Sequence, residues 1–211
     1  MKQITSPNNY GPRKHDVDRV TIHHMAGNMD LDTALQYFAK PSTKAAPNYC
    51  IDSSGNVGIS VTENMAAWTS SNRDNDHRAV TIEIANDSGA PEWSVSFDAF
   101  NAAVELLVDI AERHGKRRLV WIQDKAEALA YDLGPDELLV TVHRWFSNTL
   151  CPGPYLLAHM GLLVQAVNDK LKTEAAVYKV QVGAFSNLEN ARAALEKART
   201  LFPDAFIYKR R

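Results

Sequence analysis

At 211 residues, the chain has the length of one full-sized domain with a small additional unit. Its 45% apolar content is enough for a packed core and excludes general disorder. A formal net charge of −2 argues against a nucleic-acid-binding protein, because such proteins normally carry a basic surface. With only two cysteines, Cys50 and Cys151, a disulfide scaffold is not expected, and one or both thiols are free or bound to a metal.

The amino terminus lacks the apolar core of a secretory signal, and no apolar run is long enough to cross a membrane. We therefore expect a protein that is made in the cytoplasm and does not insert into membranes. If its substrate lies outside the membrane, a separate partner must let the protein out.

After a polar lead-in, residues 1–16, that is expected to be irregular, predicted strands and helices alternate along the chain. From β-branched and apolar runs, strands are predicted at Val17–His24, Asn48–Asp52, Val57–Val61, Ala79–Ala85 and Leu138–His143. From apolar residues at helical spacing, helices are predicted at residues 31–40, 96–114 and 155–171, the first two capped by Asp30 and Ser96. Residues 129–133 fit either a helix or a loop. This alternation predicts an α/β fold with a central mixed β-sheet flanked by helices.

The pattern restarts after Lys172, which we take as the end of a first domain, residues 1–172. Val177–Gly183 and Ala205–Tyr208 are strand-like, and Leu188–Leu201 between them is helical. Residues 173–211 therefore form a predicted βαβ unit, which is too small to be comfortably stable alone.

A histidine and a cysteine near the end of the first domain suggest a metal site. His143 ends a predicted strand, Cys151 lies in the loop that follows, and Pro152 and Pro154 stiffen that loop. Neutral imidazole and thiolate are ligands that zinc prefers. By itself, however, such a pair is more often structural.

A third ligand is available at His23 or His24, which alternation along a strand sends to opposite faces of the sheet. Spacing alone does not choose between them, and a hydrogen-bonded core histidine is the alternative for each. Three protein ligands with an open fourth position are the catalytic pattern, and no second cysteine completes a structural site unless Cys50 moves in. The composition of the site therefore favours catalysis.

Glu83 is the only charged residue within the strand predicted at Ala79–Ala85. A carboxylate is costly to bury there unless it is paired or functional. It would serve as a general base for a water that attacks an amide. The alternative is a buried ion pair with Arg78, and spacing leaves both open. We assign no role to His15, His114 or His159.

Four motifs occur in a fixed order: Ile22–Gly27, Asn48–Gly55, Val80–Asn86, and His143 followed by Thr149–Leu156. In this combination, residues 1–170 resemble the type-2 N-acetylmuramoyl-L-alanine amidases, whose fold is shared with phage amidase endolysins and peptidoglycan recognition proteins. The resemblance implies that His23, His143 and Cys151 bind Zn²⁺ and that Glu83 is catalytic. Thr149 matches a position whose implied role is to stabilise the oxyanion.

Further residues carry weaker implications from the same resemblance. Trp68, His77 and Asn48 are expected to contact substrate, although a core position is an equally good interpretation of Trp68. Some relatives use a catalytic tyrosine at the position that we align with Pro47, so a tyrosine-dependent mechanism is not expected here.

The implied reaction is hydrolysis of the amide between N-acetylmuramic acid and L-alanine in bacterial peptidoglycan. The implied source is a phage or prophage, with a holin-type partner releasing the enzyme to the cell wall. Two alternatives stay open: a peptidoglycan-binding protein without activity, and a cytosolic amidase that recycles muropeptides.

The segment that begins Val177-Tyr-Lys-Val-Gln-Val-Gly-Ala-Phe resembles the opening of a SPOR repeat, a module that binds glycan strands. Because the segment covers only the first half of such a module, one sheet edge would be unpaired, and we expect a homodimer through this unit. The alternative is a truncated chain with a poorly ordered tail.

Overall fold

The structure is a computed structural model that describes residues 1–173, 183 and 185–201. The chain divides into two units, Met1–Glu174 and Ala175–Arg211. In the described residues, no helix is long and apolar enough to span a membrane.

A seven-stranded mixed sheet forms the centre of the larger unit. The described residues of this unit contain nine strands, of which β2 and β6 lie outside the central sheet. The strands are Lys2–Gln3 (β1), Asn9–Pro12 (β2), Arg19–His24 (β3), Tyr49–Ile51 (β4), Val57–Ile59 (β5), Met65–Ala67 (β6), Ala79–Ile84 (β7), Arg118–Val120 (β8) and Glu137–Val142 (β9). The sheet order is β1-β5-β4-β7-β3-β9-β8, in which the β4–β5 hairpin is antiparallel and the other pairs are parallel. The predicted α/β fold with a central mixed sheet is therefore confirmed.

Helices flank this sheet and begin where the sequence provides caps. Those of the larger unit are Leu31–Ala39 (α1), Arg73–Arg78 (α2), Phe97–Arg113 (α3), Lys125–Ala130 (α4) and Gly153–Thr173 (α5). The Asp30 carboxylate accepts a hydrogen bond from the Thr33 amide at 2.9 Å, and the Ser96 hydroxyl accepts one from Ala99 at 3.1 Å. Both predicted caps are confirmed, because each side chain satisfies an amide that lacks a partner within its helix.

The prediction of an irregular lead-in is wrong, because residues 1–16 contain β1 and β2. Strand β1 extends the central sheet beside β5, and β2 pairs antiparallel with β6 in a separate two-stranded sheet. These strands have two to four residues each, and pairing with distant segments stabilises them. The open question at residues 129–133 is resolved in part, since α4 ends at Ala130.

Alternation along β3, β7 and β9 separates the sheet into an apolar and a polar face. Residues of the apolar face belong to the main core together with α3 and α5: Val20, Ile22, Val80, Ile82, Val140 and Val142. The polar face carries Thr21, His23, Thr81, Glu83 and Thr141. A hydrogen bond of 2.8 Å joins the Thr21 and Thr141 hydroxyls across β3 and β9. The candidate site lies at the carboxyl end of these strands on the polar face.

In the smaller unit, the helix predicted at Leu188–Leu201 is present as Leu188–Arg199 (α6), with Asn187 as its cap. None of the residues in α6 is buried. The two predicted strands of this unit lie outside the described residues, apart from Gly183.

Candidate metal and active site

Three neighbouring strands bring the candidate residues together. In the parallel register, His23 of β3 lies beside Glu83 of β7, and β9 pairs with the opposite edge of β3. His143 follows the last residue of β9, and the loop that leads into α5 carries Cys151. Because parallel strands end at the same edge of the sheet, residues far apart in sequence converge there.

His23, His143 and Cys151 form a cluster that fits a zinc ion. One donor atom from each residue lies within 4.8 Å of the others, and the Cys151 Sγ is 3.5 Å from His23 Nδ1. A nitrogen and a sulfur bound to one tetrahedral zinc ion are about 3.6 Å apart, given the usual bond lengths. The donor types and the observed separation therefore both suit zinc.

Strand alternation selects His23 rather than His24 for this cluster. His24 lies on the opposite face, where its ring packs edge-to-face against Trp93 with a centroid distance of 5.5 Å. Cys50 lies in register with Glu83 but is fully buried and is not part of the cluster.

Burial sets the protonation of the three ligands. His23 is fully buried, and burial together with His143 and His24 holds its pKa well below the usual range. Burial also lowers the pKa of His143, so both imidazoles are neutral, which is the form that binds metal. The pKa of the Cys151 thiol is raised by burial and by the nearby Glu83.

Beside this cluster lies the carboxyl group of Glu83, which has no Lys or Arg partner among the described residues. Its Oε1 lies 3.8 Å from His23 Nδ1, its Oε2 is buried without a hydrogen bond from any residue that the structure describes, and burial raises its pKa well above the usual value. The alternative ion pair with Arg78 is wrong, because the Arg78 Nε donates to both carboxylate oxygens of Asp18 at 3.0 Å. An unsatisfied carboxyl group beside metal-type ligands suits proton transfer.

Thr149 contacts the cysteine loop. Its hydroxyl accepts a hydrogen bond from the Cys151 amide at 3.2 Å, and the Cys151 carbonyl accepts another from the Arg144 amide at 3.1 Å. These bonds position the thiol, whereas stabilisation of an oxyanion by Thr149 stays a prediction.

Asn48 does not face a site that substrate can reach, contrary to the expectation from sequence. Its side chain is fully buried, its Nδ2 donates to the Val61 carbonyl at 3.0 Å, and its Oδ1 accepts from the Thr81 amide at 3.0 Å and from Arg13 at 3.1 Å. With both ends of the amide group satisfied inside the protein, Asn48 ties strands together.

Trp68 and His77 differ in their access to a ligand. Trp68 is 38% exposed and makes an edge-to-face contact with Tyr10 at 5.4 Å. His77 is only 3% exposed, and both of its ring nitrogens are buried without a hydrogen-bond partner in the part of the chain that the structure describes. The Trp68 ring is therefore exposed to solvent, whereas the His77 ring lies beneath the surface, with its centroid 5.8 Å from that of the Tyr10 ring.

Sequence reasoning missed residues around α2. The Ser71 hydroxyl lies 3.5 Å from His143 Nε2, and Asn72 caps the helix by accepting from the Asn75 amide at 2.9 Å. Asn72 followed by Asp74 and Asp76 in the first turn is a helix-start signal that was available in the sequence. His114, to which no role was assigned, is hydrogen-bonded through its Nε2 to Glu63 Oε2 at 2.8 Å.

Comparisons with known proteins identify two families. A family profile described as N-acetylmuramoyl-L-alanine amidase matches residues 13–154, and one described as SPOR domain matches residues 174–211. No curated protein sequence matches the chain.

Solved structures with a similar fold include PlyL, a mutant endolysin from Bacillus subtilis, and the Staphylococcus aureus hydrolase AmiA in complex with its ligand. Sequence identities are 15%, 16% and 14%, and the TM-score is 0.56 in each case. The matches cover 79%, 79% and 84% of this chain and 96%, 99% and 87% of those chains. At these identities the similarity concerns the fold. The resemblance drawn from the four motifs is confirmed by the amidase profile, which covers more than half of the sequence, and the chain belongs to the N-acetylmuramoyl-L-alanine amidase family.

Proposed function

We propose that the chain is a zinc-dependent enzyme that hydrolyses the amide between N-acetylmuramic acid and L-alanine in bacterial peptidoglycan. The observation that carries this proposal is the convergence of His23, His143 and Cys151 within 4.8 Å, beside the carboxyl group of Glu83. Three protein ligands are the usual number in catalytic zinc sites, whereas structural sites use four.

His23, His143 and Cys151 would hold the ion through two neutral imidazoles and a thiolate. A zinc ion held there would supply Lewis acidity, which polarises a carbonyl oxygen and lowers the pKa of water. Because burial raises the pKa of the Cys151 thiol, this residue must lose a proton when it binds the ion. The affinity for zinc should therefore decrease as the pH is lowered.

Glu83 is assigned the role of general base. Its carboxylate accepts a proton from the water that attacks the carbonyl carbon, and it then donates that proton to the amide nitrogen as the C–N bond breaks. The products are a free carboxyl group on the lactyl side and a new amino group on L-alanine. A cation held by the three ligands would oppose the effect of burial on the pKa of Glu83 and favour its charged form.

The test is to incubate purified peptidoglycan with the zinc-loaded protein and assay for new amino-terminal alanine. A chelator should abolish the release. His143→Ala should lose both zinc and activity, whereas His15→Ala, which changes an exposed histidine outside the cluster, should keep both. No release by the zinc-loaded protein would contradict the amidase proposal and favour a wall-binding protein without activity. Release that persists in His143→Ala would contradict the metal assignment.

Trp68 and Thr149 are assigned supporting roles in this proposal. The exposed Trp68 ring would contact the sugar or the stem peptide, so Trp68→Ala should raise KM with little change in kcat. The Thr149 hydroxyl would assist the developing oxyanion, so Thr149→Val should lower kcat. The opposite pattern of kinetic changes would contradict each assignment.

The SPOR match supports a wall-binding role for residues 174–211, and we infer in addition that the chain forms a homodimer through this unit. The absence of any buried residue in α6, together with exposed Phe185, Leu188 and Leu201, is consistent with a surface that a second copy covers. Sedimentation should give the mass of a dimer for the full chain, and a monomer at micromolar concentration would contradict this part. Pull-down with glycan strands stripped of peptides tests the binding role.

The similarity in fold to the B. subtilis endolysin leads us to propose that the chain acts as an endolysin of phage origin. In this role it is made in the cytoplasm and reaches the wall when a holin-type partner permeabilises the membrane. Expression alone should leave host cells intact, and co-expression with a membrane-permeabilising protein should lyse them. Lysis without permeabilisation would contradict this route.

A further inference from the structure

The loop at residues 69–72 carries a serine in an unusual backbone conformation next to a candidate metal ligand. Ser71 has φ of +59°, in the left-handed region that favours glycine, and its hydroxyl lies 3.5 Å from His143 Nε2. A glycine at this position would relieve the backbone but would leave His143 without that contact.

A buried carboxylate fixes the residues just before Ser71. Asp76 is fully buried, its Oδ1 accepts from the Ser70 amide at 3.0 Å and from the Ser70 hydroxyl at 2.6 Å, and its Oδ2 accepts from the Thr69 amide at 3.2 Å. Asn72, just after Ser71, is held as the cap of α2. The backbone of Ser71, from which the hydroxyl reaches toward His143, is therefore held on both sides.

A neutral histidine carries one N–H, and the group that accepts its hydrogen bond determines which nitrogen remains free as a ligand. Metal-binding histidines usually donate this second N–H to a carboxylate, a carbonyl or a water, which fixes the orientation of the ring. The Ser71 hydroxyl lies 3.5 Å from the Nε2 of His143, whereas the Nε2 of His23 is buried without any hydrogen bond in the described part of the chain.

We propose that Ser71 is a positioning residue for His143: its hydroxyl accepts a hydrogen bond from Nε2–H and thereby keeps the lone pair of Nδ1 free for the metal. The inference rests on the proposed function in one respect, namely the assignment of His143 as a ligand. Asp76 supports it by holding the loop.

The experiment uses the full chain and three variants at Ser71. Ser71→Gly and Ser71→Ala remove the hydroxyl, and Ser71→Gly also suits the positive φ, so loss of function cannot be attributed to a strained backbone. Ser71→Asn keeps an acceptor and tolerates the left-handed region. Lys44→Gly is the matched control, since Lys44 is exposed and has φ of +52°.

Zinc affinity, measured by competition with a chromogenic chelator, should weaken about 10- to 100-fold in Ser71→Gly and Ser71→Ala, the range for loss of such a partner. Ser71→Asn should recover part of the affinity, and Lys44→Gly should match the wild type. In the metal-free wild type, ¹⁵N spectra of the His143 ring should show the Nε2–H form, and Ser71→Gly should shift the balance toward Nδ1–H.

Wild-type affinity in Ser71→Gly would overturn the proposal, and so would a wild-type spectrum showing the Nδ1–H form. Weakened affinity with an unchanged tautomer in Ser71→Gly would also overturn it, because that result indicates a purely structural effect. Failure of the proposed metal site is distinguishable, since His143→Ala would then bind zinc as tightly as the wild type.

Discussion

Glu63 and Glu83 have side chains that are equally exposed, at 13% each, but their surroundings shift their pKa values in opposite directions. Burial alone would raise the pKa of Glu63, yet hydrogen bonds from His114, Arg113 and Tyr49 outweigh it and lower the pKa to about 2. Among the described residues, none donates a comparable hydrogen bond to Glu83, and burial raises its pKa.

This difference shows that hydrogen-bond partners, rather than the degree of burial, distinguish a structural carboxylate from one that is available for proton transfer. The Glu63 region links the loop after β5 to the end of α3, with contacts of 2.7 to 2.8 Å to Tyr49, Arg113 and His114. Glu83, in contrast, has one carboxyl oxygen without a hydrogen bond among the described residues, beside the cluster of His23, His143 and Cys151. Such an unsatisfied group costs stability, which a protein tolerates where function requires it.

The largest expected effect is on catalysis. Glu83→Gln should lower amidase activity by at least about 100-fold, because the amide cannot accept the proton from water. The thermal stability of this variant should equal or exceed that of the wild type, because a buried carboxyl without partners is replaced by a neutral group of the same shape. Alanine release and thermal unfolding measure the two quantities. Near-wild-type activity would remove Glu83 from the proposed mechanism.

Glu63→Gln is the matched change in the structural region. It should lower the free energy of unfolding by about 3 kcal/mol at pH 7, which corresponds to the fall from 4.5 to about 2 in the pKa of Glu63. Activity per folded molecule should stay close to the wild type. Denaturant unfolding measures the change in stability. A loss of activity without a loss of stability would mean that Glu63 acts in catalysis rather than in stabilising the fold.

The pH dependence of stability should have opposite signs at the two residues. Glu63 has a folded-state pKa below its unfolded value, so its contribution is present above about pH 4.5 and is lost as pH falls toward 2. Glu83 has a raised pKa, so in the metal-free protein its cost grows as pH rises above about 4.5. Unfolding free energies of the metal-free wild type and both glutamine variants, measured between pH 3 and 8, should diverge in these directions. If the three curves of unfolding free energy against pH ran parallel, the opposite pKa shifts assigned to Glu63 and Glu83 would be contradicted.

The smallest effect is expected from Tyr49→Phe. This change removes one hydrogen bond of 2.7 Å to the Glu63 carboxylate and should cost about 1 kcal/mol of unfolding free energy. Activity should be unaffected. The same denaturant measurement applies, and a cost equal to that of Glu63→Gln would mean that Tyr49 alone satisfies the carboxylate.

Much of the fold could be predicted where local signals are strong. The caps at Asp30 and Ser96, the β-branched core of β3 and the lone charge within β7 are properties of short segments, and each prediction was confirmed. The short strands β1, β2, β6 and β8 could not be predicted, because two to four residues carry no recognisable period and depend on distant partners.

For the candidate site, the sequence by itself determined the ligand types, the family and the two alternatives at Glu83. Tertiary structure decided what depends on distances across the sheet. Strand register places His23 beside Glu83. Arg78 pairs with Asp18 rather than with Glu83, and buried groups form hydrogen bonds with both ends of the Asn48 side-chain amide. The physical reason is that a residue's type and local period are encoded in its own segment, whereas its hydrogen-bond partners and burial come from segments that only folding brings near.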